Sequence, residues 1–298
     1  MNKNATRILI LGATGMLGST LFRSFAKDPL FNTFGTIRDF DAKRNFIPKL
    51  HEAIISNVSV DGEAGLLKAF SISKPEVVIN CIGIIKQLPS AKDSLACLAI
   101  NSVLPHRLEK YCEAINARLV HFSTDCVFSG GLGQYKEEDF PDCNDLYGRT
   151  KLLGEVCSQN SITLRTSIIG HELCRSSSLI DWFLSQNDEV NGYTNAFFSG
   201  LPTIEIARVV KDFVIPNRSL SGLHHLSVDK ISKHELLSLV AKVYKKNIKI
   251  NADDRLTIDR SLNSDKFRSA TGFKARPWSN LVADMHNEYM SNLDNSGN

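Results

Sequence analysis

The segment Tyr147-Gly-Arg-Thr-Lys151 sets a phenol and an ammonium four positions apart, and in a helix that spacing puts both on one face. A cation beside a phenol favours the phenolate, so Lys151 is expected to draw the Tyr147 pKa below about 10 and make it a proton donor to a carbonyl oxygen near neutral pH. Tyr-x3-Lys arises too easily by chance to mean much alone. Its weight comes from Ser123-Thr124-Asp125, at the end of the apolar strand-like run Leu119–Ser123. Doubly wound folds collect their ligands at the C-terminal ends of strands, where the Thr124 hydroxyl could bond the same oxygen that Tyr147 protonates.

A second constellation opens the chain. In RILILGATGMLGSTLF, Gly12, Gly15 and Gly18 separate a strand-like run from a helix-like one. Residues without side chains allow a tight turn and close approach of a phosphate, and the helix start offers free N–H groups and a positive dipole end. The spacing G-x-x-G-x-x-G differs from the G-x-G-x-x-G of the common dinucleotide fingerprint, so the flanking strand and helix carry the reading. Arg38, at the end of the second strand, lies where an arginine accepts the extra phosphate of NADPH and an acid would select NADH. Asp39 and Asp41 beside it leave NADH open as the alternative. Asp61, placed by the pattern at the end of a third strand Ile54–Val60, is expected to contact the adenine.

These groups need a scaffold, and the first half supplies one. Strand-like runs apolar on both faces (Arg7–Leu11, Asn32–Ile37, Val77–Cys81, Leu119–Ser123, Ile162–Thr166) alternate with helix-like runs (Ser19–Ala26, Glu63–Ser73, Ala91–Asn116, Asp145–Gln159). That rhythm predicts an α/β fold built on a doubly wound parallel Rossmann sheet. Residues 1–167 read as the dinucleotide-binding domain, to which 202–228 returns; the turn-rich remainder, 168–298, reads as a smaller α/β substrate-binding domain, with helices at Thr203–Val214 and Ile231–Lys245.

Composition narrows the partners. The 298 residues carry 35 basic and 32 acidic side chains, a formal charge of +3, too even for a nucleic-acid or anionic-membrane binder. The polar start MNKNATR is no signal-peptide core, and no run approaches a membrane span. Seven cysteines, an odd number without a C-x-x-C pair, read as reduced thiols of a cytoplasmic protein. The histidines show no ligand spacing, so no metal is expected.

The motifs GATGMLG (12–18), HFSTDCVFSG (121–130), YGRTKLLGE (147–155), LRTS (164–167), FSGLPT (198–203), GLHHLS (222–227) and RSLNS (260–264) run through nearly the whole chain. Together they resemble the extended short-chain dehydrogenase/reductases acting on nucleotide sugars, and most closely the dTDP-4-dehydrorhamnose reductases. The resemblance implies an oxidoreductase with Thr124, Tyr147 and Lys151 as catalytic triad, NADPH or NADH as hydride donor, and a nucleotide-linked 4-keto-6-deoxyhexose as substrate, supplying an activated deoxysugar for surface polysaccharide. It implies a cofactor site drawing on Gly12, Gly15, Met16, Leu17, Arg38, Asp61, Cys81, Ile82, Gly83, Tyr147 and Lys151, and it puts Arg260 in the substrate's nucleotide site. A homodimer is compatible with it. Cys126 stands where those reductases usually have Tyr and the sibling dehydratases have Glu, which disfavours dehydration. GDP-fucose synthase, also similar, has a Cys at this place and a His past the later strand that together epimerise the sugar. On that likeness Cys126 and His171 would face each other across the substrate in a bifunctional epimerase-reductase. The β subunit of methionine adenosyltransferase resembles the same family, which leaves a non-catalytic, NADP-binding regulatory role as a third reading.

Overall fold

The computed structural model describes residues 5–86, 88–174 and 176–296. Its centre is a sheet of seven strands in the order β11-β6-β5-β4-β1-β2-β3. In chain order these are β1 (Thr6–Leu11), β2 (Phe31–Thr36), β3 (Ile54–Ile55), β4 (Val77–Asn80), β5 (Arg118–Thr124), β6 (Ser161–Thr166) and β11 (Gly222–His225), and every neighbouring pair is parallel. The expected doubly wound α/β sheet is therefore present. The unbroken apolar runs follow from burial on both faces: Ile8, Ile10, Val77, Ile79, Val120 and Phe122 enter one hydrophobic cluster, while Leu9, Leu11, Val78 and Leu119 enter another. Helix α1 (Met16–Ala26) packs in the first cluster; α2 (Glu63–Ser73) and α4 (Leu104–Ala114) pack in the second.

Several elements depart from the sequence pattern. Strand β3 stops at Ile55 rather than Val60, because Asn57 takes a left-handed conformation (φ +59°) that a strand does not accommodate. The helical run over 91–116, in which Pro105 reads as a break or a new first turn, begins with a short α3 (Ser94–Cys97) capped by Asp93, widens into a π-helical turn at Leu98–Val103, and continues as α4 with Pro105 in its first turn. Pro105 explains the widening: without an N–H it leaves the Asn101 carbonyl without its usual partner four residues on. The helix expected over Asp145–Gln159 is the shorter α5 (Leu146–Leu153), ended by Gly154.

A separate cluster of Ile169, Ile180, Phe183, Val190, Phe198, Leu236, Leu237, Val240, Val282 and Met285 organises the later part of the chain. The elements here are β7 (Ile168–Ile169), α6 (Leu179–Ser185), β8 (Glu189–Tyr193), β9 (Ala196–Phe198), β10 (Leu201–Pro202), β12 (Ile231–Ser232), α8 (Lys233–Val243), β13 (Lys249–Asp253), β14 (Ile258–Asp259) and α10 (Trp278–Ser296). Between them, α7 (Thr203–Val209) and α9 (Asp265–Thr271) flank the central sheet, and β11 joins it beside β6. Helix α8 starts at Lys233 rather than Ile231, since Ser232 and Glu235 form a reciprocal capping box.

Gly154 marks the closest approach in the scaffold. A Cβ there would lie 1.9 Å from the Asn101 carbonyl oxygen that Pro105 frees. Gly154→Ala is expected to push α5 off the π-helical turn at about 1–3 kcal/mol, lowering the melting temperature by roughly 2–4 °C per kcal/mol. Calorimetry checks this, and an unchanged melting temperature would show that the turn yields freely.

Candidate active site

Strand order reverses between β1 and β4, and the glycine loop lies at that crevice. Gly12 is left-handed (φ +82°), and a Cβ on it would come 2.9 Å from the Ile82 side chain, in the segment that follows β4. A Cβ at Gly18 would lie 2.2 Å from the Gly12 carbonyl oxygen. Gly15 caps α1 with no side-chain acceptor for the first helical N–H groups, and no acidic residue occupies that turn. This cradle suits a diphosphate. Cys81 and Ile82 adjoin it, the first through its N–H to the Leu11 carbonyl at 3.0 Å, while Gly83 lies beside Asn101. Met16 lies against Gly170. Leu17 sends its side chain into the core, so only its backbone faces the loop. Arg38 is exposed just past β2. Asp61 is exposed in a turn where the Ser59 hydroxyl donates to it at 2.6 Å, well past the end of the shortened β3.

The second group lies at the C-terminal end of β5. Thr124 is its last residue, and its hydroxyl accepts from the Cys126 N–H at 3.1 Å. Asp145 caps α5 by accepting from the Gly148 N–H at 2.8 Å and pairs with Lys86 at 2.7 Å. Gly148 lets the first turn of α5 touch the chain after β5, since a Cβ there would sit 2.3 Å from the Cys126 carbonyl oxygen. Tyr147 is thereby brought beside Thr124, and Lys86 lies over its ring at 5.5 Å. The Lys151 ammonium donates to the Phe122 carbonyl at 2.6 Å. Thr124 and Tyr147 are thus neighbours, and Lys151 lies one turn further along α5 with its ammonium on β5, two residues before Thr124.

Their electrostatics differ from expectation. Tyr147 is not drawn below its ordinary pKa. Burial pushes it well up, the Cys126 and Asp125 charges add to that, and the Thr124 hydroxyl opposes it. Lys151 cannot lower it because its ammonium is turned to the Phe122 carbonyl; its own pKa is brought down to about 8 by burial, with Glu155 and Cys81 pulling the other way. Tyr147 is held protonated and Lys151 near the point of losing its charge.

His171 is a further correction. It does not face Cys126: its Nδ1 is hydrogen-bonded to Asp181, its Nε2 lies 2.8 Å from the Tyr244 hydroxyl, and its ring stacks on Tyr289 with centroids 3.9 Å apart. The carboxylate of Asp181 and the aromatic wall hold it in the later part of the chain. Arg260 does approach Cys126, with Nη1 3.9 Å from Sγ, while its Nε donates to the Phe128 carbonyl at 2.8 Å.

Sequence reasoning missed Asn101, Glu155 and Lys233. The Asn101 amide accepts from the Ile84 N–H (2.8 Å) and donates to the Ile84 carbonyl (3.0 Å) and the Thr150 hydroxyl (3.3 Å), pinning the chain after β4 to α5. Only Glu155 had a signal, its position four residues after Lys151. A groove of about 490 Å³ elsewhere contains none of the motif residues, and several of its charges pair with one another: Glu205 holds Arg208 and Arg276, and Glu288 holds Arg23. Among the described residues no three His, Cys, Asp or Glu side chains gather as a metal site.

Burial and the neighbouring Asp125 push the Cys126 thiol up to about 11, against the pull of Lys86 and Arg260. At pH 7 only about one thiol in 10⁴ would be ionised. Alkylation by iodoacetamide, followed by peptide mass spectrometry, should therefore be slow at Cys126 near neutrality and accelerate up to about pH 11. Arg260→Met should move that rise to higher pH; rapid labelling of Cys126 at pH 7 would contradict the geometry.

Residues 6–291 match the family described as the RmlD substrate binding domain. The methionine adenosyltransferase 2 subunit beta of Mus musculus is 33% identical over 159 residues, 52% of this chain and 43% of that protein. The chain's match thus spans less than half of that relative's length. A dTDP-4-dehydrorhamnose reductase of Mycolicibacterium smegmatis is 31% identical over 51% of this chain and 41% of its own. Among solved structures, the dTDP-4-dehydrorhamnose reductase of Bacillus anthracis in complex with NADP superposes with a TM-score of 0.78 at 18% identity, over 97% of this chain and 100% of that one. WbmG of Bordetella bronchiseptica, in complex with NAD and UDP, gives 0.77 at 18% identity, over 97% and 95%. These structures share the fold. With nearly its whole length matched, the chain belongs to the RmlD substrate binding domain family.

Proposed function

We propose that the protein is an NADPH-dependent reductase of a nucleotide-linked 4-keto-6-deoxyhexose, acting in activated deoxysugar biosynthesis. The observation that carries this reading is the convergence of Thr124, a protonated Tyr147 and a buried Lys151 beside a glycine cradle that fits a dinucleotide. Gly12, Gly15 and the start of α1 would hold the cofactor's diphosphate, with Arg38 at its adenosine end and Lys151 toward its nicotinamide ribose. A reduced nicotinamide bound there supplies hydride to the carbonyl carbon. Thr124 orients the carbonyl oxygen by hydrogen bonding, and Tyr147 donates its phenolic proton to that oxygen. Residues 168–298, apart from those returning to the central sheet, would form the substrate-binding unit. Arg260 would contribute to the substrate's nucleotide site. The names of the bacterial reductases and the NADP and UDP complexes among the structural relatives support the substrate class. The likeness to the mouse subunit favours a second reading, cofactor binding without turnover.

Screening nucleotide-linked 4-keto-6-deoxysugars with NADPH separates the two, with NMR identifying any product. Tyr147→Phe should keep NADPH binding and lower kcat by about 10²- to 10⁴-fold. NADPH binding with no consumption on any keto-sugar would leave the second reading. Because Lys151 loses its charge above about pH 8, turnover in the wild type should decline as pH rises through that value. Tyr147, raised by burial, should add no limb below it.

Cofactor choice gives a separate test. Arg38→Ala should weaken NADPH binding by titration calorimetry and leave NADH binding unchanged. Equal losses for both would remove Arg38 from phosphate recognition.

A further inference from the structure

Lys233 is an unusual residue to find where it lies. It is the first residue of α8, the end of a helix where a cation is disfavoured by the dipole. Its ammonium lies 4.4 Å from the centre of the Phe198 ring, and it makes no hydrogen bond or ion pair with any described residue. Burial lowers its pKa, and the charges it feels are those of Asp125 and Cys126, the two residues that follow Thr124. Arg260 reaches the same place from the other side: its guanidinium touches Cys126 Sγ and influences Asp125. Asp125 is itself pushed toward its neutral form by burial, while Asp145 is taken by Lys86 and Asp142 by Ser129. Arg260 follows Asp259, which pairs with Phe197 on β9, and Lys233 lies over the adjacent Phe198, so two cations from the later part of the chain converge on Asp125 and Cys126.

We propose that Lys233 and Arg260 together form the subsite for the diphosphate that links nucleoside to sugar, Lys233 supplying a point charge and Arg260 a planar fork. This rests on the nucleotide-sugar reading above and deepens it. A half-buried ammonium at a helix start, with no ion pair to any described residue, is costly unless a ligand anion completes it, and a diphosphate carries the two charges that match the two cations. The Phe198 ring lies under the ammonium and favours its charge, and Asp125 and Cys126 act on it in the same sense. The other source of the same chemistry, the diphosphate of the dinucleotide, has its own cradle at Gly12 and Gly15, so the two ligands should respond differently to a change at Lys233.

Titration calorimetry on the full chain reads this, with UDP, dTDP and GDP as probes in one arm and NADPH in the other. The best-bound diphosphate should lose about ten- to a hundredfold in affinity in Lys233→Met, which keeps an unbranched side chain and removes the charge. Its salt dependence should flatten, Lys233→Arg should restore most of the affinity, and NADPH should bind as before. Parallel melting curves establish that each variant is folded, and Lys233→Gln serves if the methionine variant is not. If the wild type binds a nucleoside diphosphate and the uncharged variants bind it equally well, this proposal fails while the nucleotide-sugar reading stands. If NADPH affinity falls instead, Lys233 belongs to the cofactor site. If the wild type binds NADPH but none of the diphosphates, both the nucleotide-sugar reading and the subsite fail.

Discussion

The buried pair of Glu155 and Arg165 ties the two halves of the site together. Arg165 grips the carboxylate with Nε and Nη2 at 2.7 and 2.8 Å, and the Ser123 hydroxyl donates to the same carboxylate at 2.7 Å. Both charges are almost fully removed from water. Such a pair gives little net stability compared with apolar packing, but breaking one costs proteins about 3–5 kcal/mol because the partner is left uncompensated. Its value here is geometric. Glu155 follows α5, Ser123 precedes Thr124 and Arg165 lies on β6, so the pair fixes the triad helix against the strand that carries its threonine. The network extends further. His225 lies 3.3 Å from Arg165 Nη1 through Nε2 and 3.0 Å from the Tyr135 carbonyl through Nδ1, and burial brings its pKa down to about 4. A neutral ring that donates from Nδ1 and accepts at Nε2 satisfies both contacts. Tyr135 then exchanges backbone bonds with Ser261 and Asn263, next to Arg260. The helix that carries Tyr147 and the segment that carries Arg260 are thus connected through one continuous buried polar chain.

That chain also explains why α5 ends early and starts where it does. Its first turn meets the residues after β5 at Gly148, and its end meets the π-helical turn at Gly154. Between those two contacts, Tyr147 and Lys151 have little freedom to move along the helix axis. Lys151 is in turn placed between the Phe122 carbonyl, which accepts its proton, and Glu155, which favours its charge. A buried lysine with no such neighbours would be driven further toward the neutral amine.

Much of this arrangement was legible in the sequence because it depends on local patterns. The glycine loop, the strand end at Thr124 and the Tyr-x3-Lys spacing are each written within a few residues, and the apolar strand runs place them on one edge of a parallel sheet. What escaped were contacts between residues far apart. Asn101 reads as an ordinary polar residue of a helix until Pro105 and Gly154 are brought to it. Lys233 reads as the solvent-facing start of an amphipathic helix until Phe198 and Asp125 enclose it. The direction of the Tyr147 shift was misjudged for the same reason: spacing along a helix tells which side chains share a face, but not that the ammonium turns to a strand carbonyl while the phenol is buried. Asp61 was tied to a strand that Asn57 interrupts, a backbone conformation that the apolar pattern does not encode.

The placement of His171 bears on whether the site could move protons at carbon as well as at oxygen. Epimerisation beside a carbonyl needs a base on one side of the sugar and an acid on the other, both close to the ring. Lys233, at the first position of α8, lies near Cys126, whereas Tyr244, which caps the other end, is bonded to His171. The 11 residues of α8 span about 16 Å at the usual rise per residue, so thiol and imidazole are held by opposite ends of the same helix. Bringing them together would require giving up the Asp181 and Tyr244 bonds and the stack on Tyr289. The thiol, raised by burial and by Asp125, is moreover a poor base near neutral pH. Separation and protonation state therefore both weigh against an epimerase pair, and both agree with the proposed delivery of a proton from Tyr147 to a single oxygen.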